Sequence, residues 1–253
     1  MKRFRNSKFY FSVMTLVILS MLSLSACSSS GTDHASGPAA TASQAPLDAQ
    51  ADYVKAYLDT LCREDYKAYA AAHGVTEEEV RAEMPSYLED IVENDLTYIP
   101  SETMTASFAK ELQKLLAKCR YTVQPSKKNE DGTYSVPVSI QQFTVFKESL
   151  VKSEEEHLKW VQTQSEDLDE DLSTDQFFTY IIKHCEEILK RPQYARAATV
   201  TVTLSPSESD KNVYDFGDED IENLLYALLD FSAWDEDVAD EGDTDEEDAD
   251  EDA

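Results

Sequence analysis

The sequence predicts an α+β fold, with several helices packed on a small antiparallel sheet. Three observations carry this. Apolar residues recur at the helical period through most of residues 48–119 and again through 147–190. Strict two-residue alternation is confined to short runs near 121–145 and 198–216. Helices and strands come in groups rather than in βαβ alternation, which points to an antiparallel sheet.

The first helix begins near Asp48, with Tyr53, Val54, Tyr57, Leu58 and Leu61 on one face. A second, shorter helix places Tyr66 and Tyr69 inward and ends at Gly74. Thr76 and Glu79 have the spacing of a capping box for a third helix, whose inner positions are Val80, Met84, Tyr87, Leu88, Ile91 and Val92. Pro85 is expected to kink or split it. After Pro100 a fourth helix shows Phe108, Leu112, Leu115, Leu116 and Cys119 on one stripe. Tyr121 and Val123, a turn at Asn129–Gly132, and Tyr134, Val136, Val138 and Ile140 then read as a hairpin with one wet face. A slip of parity at Gln141–Gln142, before Phe143 and Val145, predicts a bulge. Pro137 predicts an edge strand. Two helices follow at about 147–165 and 174–190, the second with Ser173 and Gln176 as a capping box and Pro192 beyond its end. Its inner side is Phe177, Phe178, Ile181, Ile182, Cys185 and Ile188. Ala198, Val200, Val202 and Leu204 alternate with threonines as a strand that pairs with Val213–Phe216, and Asp218 is expected to cap a last helix through Leu229. Leu112–Ile140 and Ile182–Phe216 each run helix, strand, turn, extended segment, a hint of duplication.

The two ends read differently. Lys2, Arg3, Arg5 and Lys8 precede an apolar run, Phe9 to Leu24, that closes on Leu24-Ser25-Ala26-Cys27. A basic start, a short apolar middle and small residues at a cut site describe an export signal. The run is shorter than the ~20 apolar residues of a spanning helix. Its end resembles a bacterial lipoprotein signal peptide. The resemblance implies cleavage between Ala26 and Cys27 and thioether lipidation of the Cys27 thiol. Two or more acyl chains would hold the mature chain at the extracytoplasmic face of the cell membrane. The expected organisation is a signal peptide at 1–26, a flexible tether at 27–47, an extracytoplasmic domain at 48–234 and an acidic, disordered tail at 235–253. The tether is rich in Ala, Ser, Thr, Pro and Gly, and its His34 is read as solvated.

The chain carries a net charge of −29, and thirteen acids with no base lie between Asp235 and Ala253. Phosphates would be repelled, so nucleic acid is not an expected partner. The tail lacks the Asp-x-Asp-x-Asp-Gly spacing and the bidentate Glu of an EF-hand, and it reads as a self-repelling solvated run.

The inventory for chemistry is thin. His73, His157 and His184 fall within the domain, and the last two lie on or beside apolar helix stripes. His184 and Cys185 are adjacent, so their side chains diverge by about 100° on a helix, poor geometry for a thiolate–imidazole pair. Neither a His-Glu-x-x-His zinc motif nor a Gly-x-Ser-x-Gly elbow occurs, and Gly-rich phosphate loops are absent. Glu154–Glu156 and Asp167–Asp171 offer carboxylates, most simply read as solvated faces and loops. Some of the thirteen tyrosines could line a sugar or peptide groove, although helical spacing makes most of them core-edge residues. Beyond Cys27 there are three cysteines, Cys62, Cys119 and Cys185, with no Cys-x-x-Cys pair; an odd count leaves at least one thiol free, and a bridge between two of them stays open. No catalytic residue, metal ligand or cofactor is assigned.

The stretch Tyr53–Tyr69 resembles the opening helices of small NTF2-like α+β ectodomains. Cys119–Val123 with Asp131–Val138 is similar to lipoproteins of Gram-positive bacteria that carry an uncharacterised domain of this kind. The likeness spans about residues 50–231 in pattern, and two long helices separating the strands depart from a plain NTF2-like order. The expected role is non-enzymatic binding of a ligand, or of an envelope protein, peptide or glycan, by a lipid-anchored domain. The alternatives are an envelope hydrolase with paired carboxylates and cation binding by the tail.

Overall fold

The computed structural model describes residues 48–96, 100–164, 168–207 and 213–236. The signal, Ala26 and Cys27, the tether and the tail beyond residue 236 lie outside the described residues. The fold is α+β: α1 (Ala49–Arg63), α2 (Lys67–His73), α3 (Glu77–Asp95) and α4 (Glu102–Leu116) precede β1 (Arg120–Val123), β2 (Lys127–Lys128) and β3 (Tyr134–Gln141). Then come α5 (Phe146–Val161), α6 (Glu170–Ile188), β4 (Ala198–Pro206), β5 (Tyr214–Phe216), α7 (Asp220–Leu228) and the single turn α8 (Ala233–Glu236).

The sheet is antiparallel with order β1-β3-β4-β5, and β2 pairs with the start of β3. One face is apolar: Val123, Val136, Val138, Ile140, Val202 and Leu204 are buried. Helices cover that face and share a core centred on Phe108, Phe146, Phe178 and Trp234, with Phe108 edge-on to Phe178 at 5.3 Å. Each of these rings removes a large apolar area from water, and edge-on pairs add ~0.5–1.5 kcal/mol beyond that burial.

Local signals set most element ends. Asp48 accepts from Ala51 N at 3.0 Å to start α1, and its other oxygen accepts from Ser126 N at 2.9 Å, tying the helix to the β1–β2 link. Burial of the Asp48 carboxyl opposes its charge, but those hydrogen bonds together hold its pKa below the ordinary value. Thr76 and Glu79 form the expected capping box. Gly74 ends α2 at φ 66°, where a side chain would be strained.

Of the two outcomes expected at Pro85, the split does not occur: α3 runs through Pro85, which lies on its exposed side. Three local expectations are corrected. Pro137 sits in a central strand, between β1 and β4. Its carbonyl accepts from Gln124 N at 2.9 Å, so its missing N–H faces the gap where β1 gives way to β2 and removes little from the ladder. Asp169, not Ser173, caps α6 by accepting from Leu172 N at 3.1 Å; Ser173 lies inside the first turns. Asp218 does not cap α7. The N-cap is Glu219 without a side-chain bond, and Asp220 instead accepts from Thr203 N at 2.7 Å and Gly217 N at 3.2 Å. A Cβ at Gly217 would lie 2.6 Å from that Asp220 oxygen, so a larger residue there would push the Asp220 carboxylate aside.

Phe143 and Val145 are buried, as the shifted parity predicts; β3 ends at Gln141, and Phe143 makes isolated bridges to Tyr194 and Leu229. The order helix then hairpin occurs twice, as α4 with β1–β3 and as α6 with β4–β5.

Candidate functional site

Three elements bring aromatic side chains to one end of the sheet. Tyr53 and Tyr57 stand one turn apart on α1, Tyr69 and His73 one turn apart on α2, and Tyr214 and Phe216 on the same side of β5. Tyr53 is edge-on to Tyr214 with ring centroids 5.4 Å apart and lies 5.9 Å from Phe216. Tyr69 and His73 are 4.2 Å apart, and Tyr57 lies 5.0 Å from Phe216. Tyr134 of β3 is edge-on to Tyr214 at 6.2 Å. The hydroxyls are held as well. Tyr53 Oη lies 3.0 Å from His73 Nε2, Gln50 Nε2 donates to Tyr214 Oη at 2.8 Å, and Tyr57 Oη meets Tyr87 Oη of α3 at 2.5 Å. Burial pushes the Tyr53, Tyr57 and Tyr69 phenols well above their ordinary pKa.

Beside this cluster a cleft of about 330 Å³ opens between α1, α2 and β5. Ala49, Asp52, Tyr53 and Ala56 of α1 line one wall at the helical spacing, Ala68 and Ala72 of α2 line the other, and Tyr214 closes the end. The alanines let the two helices stand apart without filling the space. Asp52 is the one charged residue in the lining, and no nucleophile or acid–base pair faces it. Such a lining offers space beside an apolar wall, with phenol and carboxylate groups at its edge.

The histidines and carboxylates singled out from sequence do not converge. His73 belongs to the tyrosine cluster. His157 lies 3.0 Å from Ser173 Oγ and stacks on Trp160 at 5.7 Å. His184 is 5% exposed, with ring nitrogens 3.4 Å from Glu156 of α5 and 3.3 Å from Glu187. Cys185 is buried beside Ser149, and burial pushes its thiol well up. Glu156 is held low by Lys183 at 2.7 Å. Asp167 lies outside the described residues, and Asp169 is spent as a helix cap. Burial raises the pKa values of the Glu111 and Asp220 carboxyls. They sit on separate elements, Glu111 bonded to Lys114 at 2.6 Å and Asp220 to backbone N–H groups. Among the described residues no group of three or more His, Cys, Asp or Glu side chains is arranged to hold a metal ion. No helix among them is long and apolar enough to cross a membrane.

The tyrosine cleft is the site that sequence reasoning underweighted. Helical spacing correctly made Tyr53 and Tyr57 core residues, but the alanines at 49, 56, 68 and 72 were the available signal. Small residues on the facing stripes of two adjacent helices leave room that bulky ones would fill.

No family model matches the chain, and no curated protein matches it. Among solved structures, it is similar to a crystal structure titled as a "putative lipoprotein" from Bacillus subtilis, at 16% sequence identity and a TM-score of 0.47. The match covers 72% of this chain, and the chain spans 56% of that structure's own length.

Proposed function

We propose that the chain is a lipid-anchored extracytoplasmic binding protein, held by Cys27 at the outer face of the cell membrane, that takes its ligand in the cleft between α1, α2 and β5. The observation that carries the binding role is that cleft, where an alanine-walled space is bordered by Tyr53 and Tyr214, whose hydroxyls are already held in place. Pre-ordered aromatic walls lose little entropy when a ligand arrives. The fitting ligand is an envelope glycan or peptide that presents an apolar face and is neutral or cationic. Asp52 and the net charge of −29 disfavour an anionic one. Anchoring rests on the Leu24–Cys27 pattern and the basic, apolar leader before it. In this reading the domain is NTF2-like, with the α5–α6 pair inserted between β3 and β4.

Calorimetric titration of soluble wall glycans and envelope peptides into the full chain and into Tyr214→Ala tests the site. The expected result is saturable binding by the wild type, weakened at least about tenfold by loss of one stacking and orienting ring. Equal binding by both proteins would place the ligand elsewhere and refute the reading. The anchor has its own test, since intact-mass analysis of host-purified protein must find Cys27 amino-terminal and acylated.

A further inference from the structure

Asp52 is a carboxylate that borders a cleft with no cation to meet it. It lies in the first turn of α1, and the cleft between α1, α2 and β5 holds no lysine, arginine or histidine in its lining. Helical geometry brings Asp48, Ala49, Lys55 and Ala56 within reach of Asp52. Lys55 is the base among them, and its ammonium is bonded to Asp59, one turn further on. Among the described residues Asp52 makes no ion pair. The start of α1 does not use its carboxylate as a cap, since Asp48 fills that place by accepting from Ala51 N at 3.0 Å. The walls beside Asp52 are alanine methyl groups, from Ala49 and Ala56 on α1 and Ala68 and Ala72 on α2. The Tyr214 ring closes the end, its hydroxyl held by Gln50 at 2.8 Å.

We propose that the cleft selects a lysine side chain of an extracytoplasmic peptide, with the lysine ammonium paired to Asp52 and its methylene stem laid along the alanine walls. The inference rests on the reading of the cleft as the ligand site and narrows that ligand to a cationic peptide. An exposed ion pair contributes little by itself. The stem adds apolar contact with the alanines, and the Tyr214 ring attracts a cation placed over its face. A sugar gains less in the same place, because methyl walls return no hydrogen bonds to its hydroxyls. The net charge of −29 draws a basic peptide toward the domain and speeds its arrival.

The test titrates the full chain calorimetrically with a Gly-Lys-Gly peptide blocked at both ends, and with the same peptide acetylated on the lysine amine. A glucosamine oligomer and its N-acetylated form make the glycan arm. The expected result is that the free-amine peptide binds about tenfold more tightly than its acetylated form, which loses both the ion pair and the attraction to the ring. Asp52→Asn should weaken the free-amine peptide by about fivefold and leave the acetylated one unchanged. Asp52→Glu, which keeps the charge, should keep the preference for the free amine, and added salt should erode that preference. Peptides that bind alike with and without the amine, and that Tyr214→Ala weakens equally, would overturn the lysine inference while leaving the cleft as the ligand site. Free-amine binding that neither Asp52→Asn nor Tyr214→Ala changes would overturn both. A melting midpoint lowered in Asp52→Asn with the amine preference intact would show that Asp52 serves only the positive end of α1, and would overturn the pairing. Binding confined to the glycan arm, or no binding by the free-amine peptide at millimolar concentration, would overturn the inference as well.

Discussion

Asp230 holds the first turn of α5 from 84 residues further along the chain. Its Oδ1 accepts from Val145 N at 2.7 Å and Phe146 N at 2.8 Å, and its Oδ2 accepts from Lys147 N at 3.0 Å. Those N–H groups are among the orphan donors that every helix start leaves. Val145, the N-cap itself, offers no side-chain bond. Replacing Asp230 with Ala should cost about 3 kcal/mol, since two buried donors and one part-buried donor lose a carboxylate acceptor at once. Chemical denaturation of the two proteins reads this directly, and a loss below about 1 kcal/mol would show that water replaces the carboxylate. Such a cap was not legible in sequence, because nothing near residue 145 announces it. The capping box of Thr76 and Glu79 was legible because both partners lie within one turn. Ser173 and Gln176 had that same spacing and still did not cap; Asp169 starts α6 one turn earlier and leaves Ser173 to meet His157. A local motif names a capable pair, and the tertiary contacts decide whether it is used.

At the scale of elements, α4 carries the least comfortable group in the core. Glu111 is 1% exposed, with one oxygen bonded to Lys114 and the other without a hydrogen-bond partner. Burial raises its pKa, and Lys114 offsets part of that. An acid whose folded pKa is raised contributes stability that is present below its unfolded value of 4.5 and is lost as pH rises through the folded value. Glu111→Gln should therefore be neutral to mildly stabilising at neutral pH, by up to about 1 kcal/mol, because Lys114 is half exposed and can turn to water. Its advantage should shrink or reverse as the pH falls toward 4.5 and below. Thermal melts of both proteins across pH 4 to 8 test this, and a difference that is constant with pH would contradict it. The strands show a similar division between what is local and what is not. Alternation at 134–140 and 198–204 identified β3 and β4 and their buried faces. Pro137 misled about position in the sheet, because edge preference assumes an unbroken partner strand, whereas β1 and β2 leave a gap opposite its nitrogen.

The whole domain rests much of its aromatic surface on protonated phenols. Tyr53, Tyr57, Tyr66, Tyr69 and Tyr121 all have pKa values raised first by burial. In the unfolded chain these phenols titrate near 10.0. Their contribution to stability is thus complete below pH 10 and falls as pH rises toward the folded values. Absorbance at 295 nm should show a normal class of tyrosines and a late class whose ionisation coincides with loss of circular dichroism; smooth titration of all tyrosines near pH 10 with the fold intact would refute this. The α+β class was legible because period and grouping are properties of segments. The cleft was legible only in part, because it depends on which helices stand side by side, and no spacing within α1 or α2 reveals that β5 closes the end. The most direct test of a binding role for that cleft is NMR of the full chain with isotope-labelled tyrosine, recorded while soluble wall glycans and envelope peptides are titrated in. The account predicts saturable shifts led by Tyr214 and Tyr53, with Tyr180 and Tyr194 unmoved. Spectra that stay unchanged, or that move at Tyr180 or Tyr194 while Tyr214 stays fixed, would contradict it.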